Sequence, residues 1–349
     1  MQASRLLSFD AMRGLAAIAV LLYHAEPSYA PSGYLAVDVF FLLSGFVIAR
    51  SYDERFAAGM SLGRFAALRL IRFYPLYLVG LGLGIFRCVG QILLDRPDRL
   101  AGWDVGVSAF FGLLFLPSPV TPHIAPLNHP AWSLLFELAV NIVYAAGLWK
   151  ARLRVLVLVT ALCGLVFLGL ALRYGSIGMG FSWATLAGGA MRVSFAFGVG
   201  AIMAKLFLRP ASSSAWALLP LAVLPCLLLF PIDPAHRLVY ELFTACLAGP
   251  ILLGVSAAFN PPAVFSRISE ALGDLSYAIY AVHFPLLWMF GYVARKAGLG
   301  TPVWVPIYVV MILVLAGLCD RYYDKPVRRW LTASMKRGVS APRMPATAS

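Results

Sequence analysis

Charge is scarce in this chain, and so are polar stretches long enough to fold by themselves. Only 12% of the 349 residues are charged while 61% are hydrophobic. The charged share is about half that of an ordinary soluble domain. This excludes a sizeable soluble domain and implies an all-α, polytopic integral membrane protein. Acidic residues are the scarcer sign, 15 against 28 Lys and Arg, for a formal charge of +13. In a soluble protein such an excess suits nucleic acid. Here the basic residues cluster in short loops between apolar runs, where they set topology, and no nucleic-acid partner is implied. Cysteine is sparse as well. Cys88, Cys163, Cys226, Cys246 and Cys319 sit in or beside apolar runs without metal-type spacing. They suit small core residues, and neither a disulfide framework nor a metal site is expected. No internal repeat stands out.

Long uncharged runs fall near 11–30, 35–49, 73–94, 131–148, 155–172, 183–204, 214–232, 238–258, 275–294 and 303–319. Most approach the ~20 residues needed to cross the hydrocarbon core. Residues 105–116 are apolar but short, which suits a re-entrant or interfacial segment. Arg50, Arg55, Arg64, Arg69 and Arg72 put one loop on the cytoplasmic side, and Lys150, Arg152 and Arg154 put the next basic loop there too. The positive-inside rule then requires an even number of crossings between them, so 105–116 does not cross. Lys205, Arg209, Arg267, Lys325, Arg328, Arg329, Lys336 and Arg337 fall inside on the same count. The expectation is ten spans with both termini cytoplasmic, a membrane domain over 1–332 and a disordered cytoplasmic tail over 333–349. Ser61–Arg72 has the period of an amphipathic helix lying along the interface. The first 30 residues also carry a weak signal-peptide pattern, ending in Ser28-Tyr29-Ala30. Asp10 and Arg13 so close to the apolar run favour a retained span.

Five sets of residues break the apolar pattern. Arg13 and His24 lie eleven residues apart in the first span. At ~100° per residue they share one helix face, separated by roughly 16 Å. Asp10, three residues before Arg13, can pair with it and lower the cost of burial. Arg69 and Arg72 stand together before the third span. Glu137 follows Trp132 and Ser133 by about a turn in the fourth. Arg192 sits in the middle of 183–204. His283 lies near mid-span, two residues before Pro285. Ionisable groups at membrane depth mark functional sites by default, because lipid exposure is too costly. Each also has a purely structural role open to it. Arg69 and Arg72 suit ordinary interfacial anchors, and Glu137 suits an ion pair with a buried arginine such as Arg192. His283 suits a core histidine bonded to backbone freed by Pro285.

The ordered runs FDAMRGLAAIAVLLYH, VDVFFLLSGFVIARSY, RLIRFYPLY, PAWSLLFE and LSYAIYAVHFPLL resemble the membrane-bound acyltransferase-3 family, and YYDKPVRRW resembles its closing segment. The resemblance covers residues 5 to about 330. It departs only in Leu135, where many members have a polar residue. With no soluble hydrolase-like domain following, it resembles the stand-alone members.

The resemblance implies a bacterial inner-membrane enzyme that O-acylates a surface polysaccharide or lipid-linked glycan. Acetyl-CoA or another acyl-CoA is the implied donor substrate, and no metal is implied. Arg13, Arg69 and Arg72 would take the phosphates of the CoA ester at the cytoplasmic mouth. His24, whose side chain ordinarily titrates near neutrality, would be the general base. Glu137 would approach His24 from the outer side and fix its tautomer. Asp10, Trp132, Ser133, His283 and Arg192 would support the site. Two other readings keep the same residues: a transporter or flippase with Arg13 and His24 on its pathway, and an acyltransferase of a small secreted metabolite. His123 and His129 are expected in a solvated, proline-rich outer loop.

Overall fold

The computed structural model describes residues 6–207 and 212–340, with side chains to Met335. Thirteen α-helices account for nearly all of it. The first three are α1 (Leu7–Ala25), α2 (Ala36–Ala57) and α3 (Leu62–Leu93). A short α4 (Gly102–Leu113) and α5 (Ala131–Ala146) come next, then α6 (Leu153–Tyr174), α7 (Leu186–Leu206) and α8 (Leu218–Leu229). Helices α9 (Arg237–Phe243) and α10 (Gly249–Ala258) are joined by a π-helical turn over Thr244–Ala248. The chain closes with α11 (Ser266–Lys296), α12 (Thr301–Cys319), a second π-helical turn over Asp320–Asp324, and α13 (Lys325–Ser340). The only sheet among the described residues is a two-residue parallel ladder, β1 (Ser212–Ser213) with β2 (Phe259–Asn260). The side chain of Asn260 and the carbonyl of Phe259 hold the start of α1, through Leu7 N at 2.9 Å and Ser8 Oγ at 2.7 Å.

Eight helical stretches are long and apolar enough to cross a membrane. The runs at 131–148 and 214–232 correspond to shorter apolar helices, ending at Ala146 and Leu229. Residues 105–116 fall on the twelve-residue α4. Two expectations are corrected. Ser61–Arg72 is not a separate surface helix: Ser61 caps the start of α3, its Oγ accepting from Arg64 N at 3.3 Å, and the helix runs unbroken through Pro75. An amphipathic period fits both outcomes, and Pro75 costs one backbone bond without ending the helix. At the other end, α13 carries order to Ser340, eight residues past the expected boundary. Residues 341–349 and Arg209 lie outside the described residues.

Helices α1 and α11 form the central pair, and α2 packs along α7. Small residues bring both pairs close, the usual device where lipid supplies no hydrophobic drive between helices. A Cβ on Gly45 would stand 2.0 Å from the Phe197 carbonyl, and one on Gly200 2.0 Å from that of Leu42. On the central pair a Cβ on Gly273 would meet Asp10. Helix α6 packs on the outer side of α7, with most of its surface left facing outward.

Candidate active site

Two connected cavities enter the bundle from its basic end. The wider, of about 870 Å³, lies between α1, α2, α3, α11 and α13. Its lining carries seven cations (Arg13, Arg50, Arg69, Arg72, Lys325, Arg328, Arg329) against three carboxylates (Asp10, Asp274, Asp320). Arg13, Arg69 and Arg72 also line the narrower chamber beyond, of about 190 Å³, with Ser44, Ser133, Glu137, Ser276, Tyr277 and Tyr280 as its other polar groups. These three arginines form the neck between the two spaces.

The neck is under-coordinated. Arg13 binds Asp10 at 2.5 Å, yet its buried Nε has no partner. Arg69 reaches Glu137 only at 3.4 Å, lies over the Phe73 ring, and likewise leaves Nε without a partner. Arg72 stands over the Tyr277 ring, 3.8 Å from Asp324, which Arg328 binds at 3.0 Å. A buried N–H without an acceptor costs its full desolvation penalty. Arg87 and Arg96 carry the same cost away from the cavities, whereas at the neck the bare N–H groups belong to residues that line both spaces.

Tyr280 connects the chamber to the histidines. Its hydroxyl bonds Ser133 Oγ at 2.6 Å and the Pro130 carbonyl at 2.8 Å. Its ring centre lies 6.0 Å from that of His283. His283 Nε2 is 3.1 Å from His24 Nδ1. The same Nδ1 is 3.0 Å from the Val20 carbonyl, and no hydrogen bond reaches Nε2 of His24 from the described residues. Phe284 packs edge-on against His24 and at a shallow tilt against His129, which in turn meets His123 and Phe181. This line of side chains runs from the basic mouth to the loops at the opposite end.

Several sequence expectations change here. No hydrogen bond joins Glu137 to His24. Glu137 faces the chamber, accepting from Ser44 Oγ at 2.9 Å and from Arg69, and His283 takes the place beside His24. Arg192 does not pair with Glu137 either. Asp38 grips it at 2.7 and 2.6 Å, both residues buried, which makes it a closed structural pair. Ser133 lines the chamber. Trp132 does not, packing instead against Phe41 and Phe136. The carbonyl freed by Pro285 is that of Ala281, which lies four residues earlier. Asn128 Nδ2 binds it at 2.8 Å, while His283 bonds Ile279 and Tyr280. His129 is half-buried on Phe181 and Phe284 instead of fully solvated, while His123 is exposed.

Sequence reasoning missed Asp38, Ser44, Tyr280, Asp324 and Arg328. Tyr280 carried the clearest signal, one turn before His283 on the same face.

The chain belongs to the acyltransferase family whose profile, described as an acyltransferase domain, matches residues 6–321. It is therefore a membrane-embedded acyltransferase. The putative peptidoglycan O-acetyltransferase YrhL of Bacillus subtilis (strain 168) is 24% identical over 379 residues, spanning 95% of this chain and 56% of that protein. The exopolysaccharide production protein ExoZ of Rhizobium meliloti (strain 1021) is 27% identical over 295 residues, 81% of this chain and 86% of that one. Protein 2 in the picA locus of Rhizobium radiobacter is 39% identical over 184 residues, 49% of this chain and 96% of that protein. No solved structure matches.

Proposed function

We propose that this enzyme O-acetylates a bacterial surface polysaccharide or lipid-linked glycan, drawing the acetyl group from acetyl-CoA on the cytoplasmic side of the inner membrane. One observation carries the reading: a continuous line from the cationic cavity, through the arginine neck and Tyr280, to His283 and His24. CoA offers a 3′-phosphate and a diphosphate, which match a wide mouth with seven cations against three carboxylates. The unpartnered Nε groups of Arg13 and Arg69 suit phosphate oxygens. The narrow chamber suits the thin pantetheine arm. The rise from Arg13 to His24, roughly 16 Å along α1, is comparable to the length of that arm.

His24 Nε2 takes the proton of the sugar hydroxyl as its oxygen attacks the thioester carbonyl. The C–O bond forms, the C–S bond breaks with its electron pair on sulfur, and the thiolate takes the proton back from Nε2. Ester and CoA thiol leave on opposite sides. A positioned base of this kind contributes about 10²–10⁴-fold. Glu137 holds Arg69 and Ser44 on the chamber wall instead of acting on His24.

The test is thermal stabilisation of the purified full chain by acetyl-CoA, with ATP as the control for unspecific phosphate binding. A ligand bound only to the folded state raises stability by mass action, about 2.7 kcal/mol at a hundred times Kd. A shift is expected with acetyl-CoA and not with ATP, and it should be reduced in Arg72→Ala. His24→Ala should keep the shift and lose transfer. No shift at millimolar acetyl-CoA would overturn the reading in favour of a transporter with Arg13 and His24 on its pathway.

A further inference from the structure

Resting on His24 as the base, we infer that His283 is its positioning residue, a neutral partner that fixes which nitrogen of His24 is free to accept a proton. His283 Nδ1 lies 3.0 Å from the carbonyl oxygen of Ile279 and 3.1 Å from that of Tyr280. Carbonyl oxygens only accept, so this nitrogen carries a proton. A neutral imidazole has one N–H, which leaves His283 Nε2 bare and accepting. Its partner at 3.1 Å is His24 Nδ1, which must then donate. The other neighbour of that nitrogen, the Val20 carbonyl, accepts only, so it makes the same demand. The lone pair of neutral His24 therefore stands on Nε2.

The surroundings of His283 keep this polarity from reversing. Pro285 has no N–H to give the Ala281 carbonyl, and Asn128 Nδ2 from the loop before α5 supplies one at 2.8 Å. Tyr308 of α12 donates its hydroxyl proton to the His283 carbonyl. The turn that carries the ring is held from two other elements, and the ring itself is fully buried. A histidine present only for packing has no need to aim Nε2 at the base.

The chemistry benefits from a neutral partner. A carboxylate at this place would bind the imidazolium of His24 strongly. His283 stabilises it less, and the proton passes back more readily to the thiolate.

The wild-type full chain, purified in detergent and labelled with 15N-histidine, tests the pairing directly. Its five histidines give a sparse spectrum, assigned through His24→Ala and His283→Leu. The 15N shifts separate protonated from bare ring nitrogens. His24 is expected with its proton on Nδ1 alone, and in His283→Leu, where only the Val20 carbonyl still accepts from that nitrogen, the share of this tautomer is expected to fall. In parallel, thiol release from acetyl-CoA in the presence of a polysaccharide acceptor should lose ten- to a hundredfold in kcat in His283→Leu at unchanged KM. His283→Gln, whose side-chain oxygen still accepts, should recover most of both signals. A proton on Nε2 of His24 in the wild type would overturn the inference, as would a His283→Leu variant with wild-type shifts and kcat. If His24→Ala released thiol like the wild type, the base assignment would fail, while the tautomer measurement would still decide the pairing.

Discussion

Two arginines inside the bundle, Arg192 buried and Arg69 half-buried, have opposite surroundings. Arg192 on α7 is closed: Asp38 takes Nε and Nη2 at 2.7 and 2.6 Å, and the Ile177 carbonyl takes Nη1 at 2.9 Å. The network continues from Ile177 N to Glu241, whose other partners are Tyr34, Ser176 and Arg237. Arg69 on α3 is open, with one contact at 3.4 Å, a ring beneath it and a buried Nε facing no acceptor. Both residues are costly to place at this depth. The protein itself compensates Arg192 in full and Arg69 only in part. Arg192, its donors taken by protein groups, serves architecture; Arg69 has a donor to spare at the wall of a cationic cavity, which suits the binding role proposed above.

Removing a carboxylate should separate the two kinds. Asp38→Ala strands Arg192 without its counter-charge, a change worth about 3–5 kcal/mol of stability. The expected result is a large fall in melting temperature, equal in size with and without acetyl-CoA. A variant that melts like the wild type would break the comparison at its closed end. Arg69→Ala should act the other way. The apo melting temperature should move little, because few native contacts are lost. Acetyl-CoA affinity should weaken by about 1.5–3 kcal/mol, the worth of a hydrogen bond to a charged group, or roughly ten- to a hundredfold in Kd. Titration calorimetry on the detergent-purified chain measures this. Unchanged affinity would leave the open arginine without a ligand.

The sequence made these residues visible and hid their partners. Arg13, His24, Arg69, Arg72, Glu137, Arg192 and His283 each interrupt an apolar run, and lipid makes every interruption conspicuous. The eleven-residue spacing of Arg13 and His24 needed only helix geometry. Pairing across helices has no such period. Asp38 meets Arg192 across 154 positions, and His24 meets His283 across 259. The expectation that Glu137 orients His24 followed from both approaching the same side. Depth decided otherwise, because seven residues into α5 the carboxylate faces the chamber wall at Ser44 and Arg69. The long α3 was obscured for a different reason: an amphipathic run looks alike on a surface and at the mouth of a span. The boundary of α13 was obscured by composition, since the Ala, Pro and Ser of the last residues begin only after most of the helix is complete.

The smallest effect belongs to the far end of the line, at His129. This residue sits in the loop before α5, packed on Phe181, Phe284 and His123. Burial, then the nearby His24, His123 and Arg87, hold its pKa down to about 4. The unfolded chain titrates near 6.5. Where the folded pKa is the lower one, the unfolded state binds more protons between the two values, so stability falls as pH falls. The contribution of His129 is complete above about 6.5 and is lost as pH drops through about 4. His129→Phe keeps the ring contacts and removes the titration. It should leave the neutral-pH melting temperature nearly unchanged and flatten its acid limb, measured from pH 7 downward. An acid limb identical to wild type would mean that His129 is solvated and bears no load in its loop. A flattened limb would show that the protein fills this end of the line with its own side chains, as it fills the surroundings of Arg192.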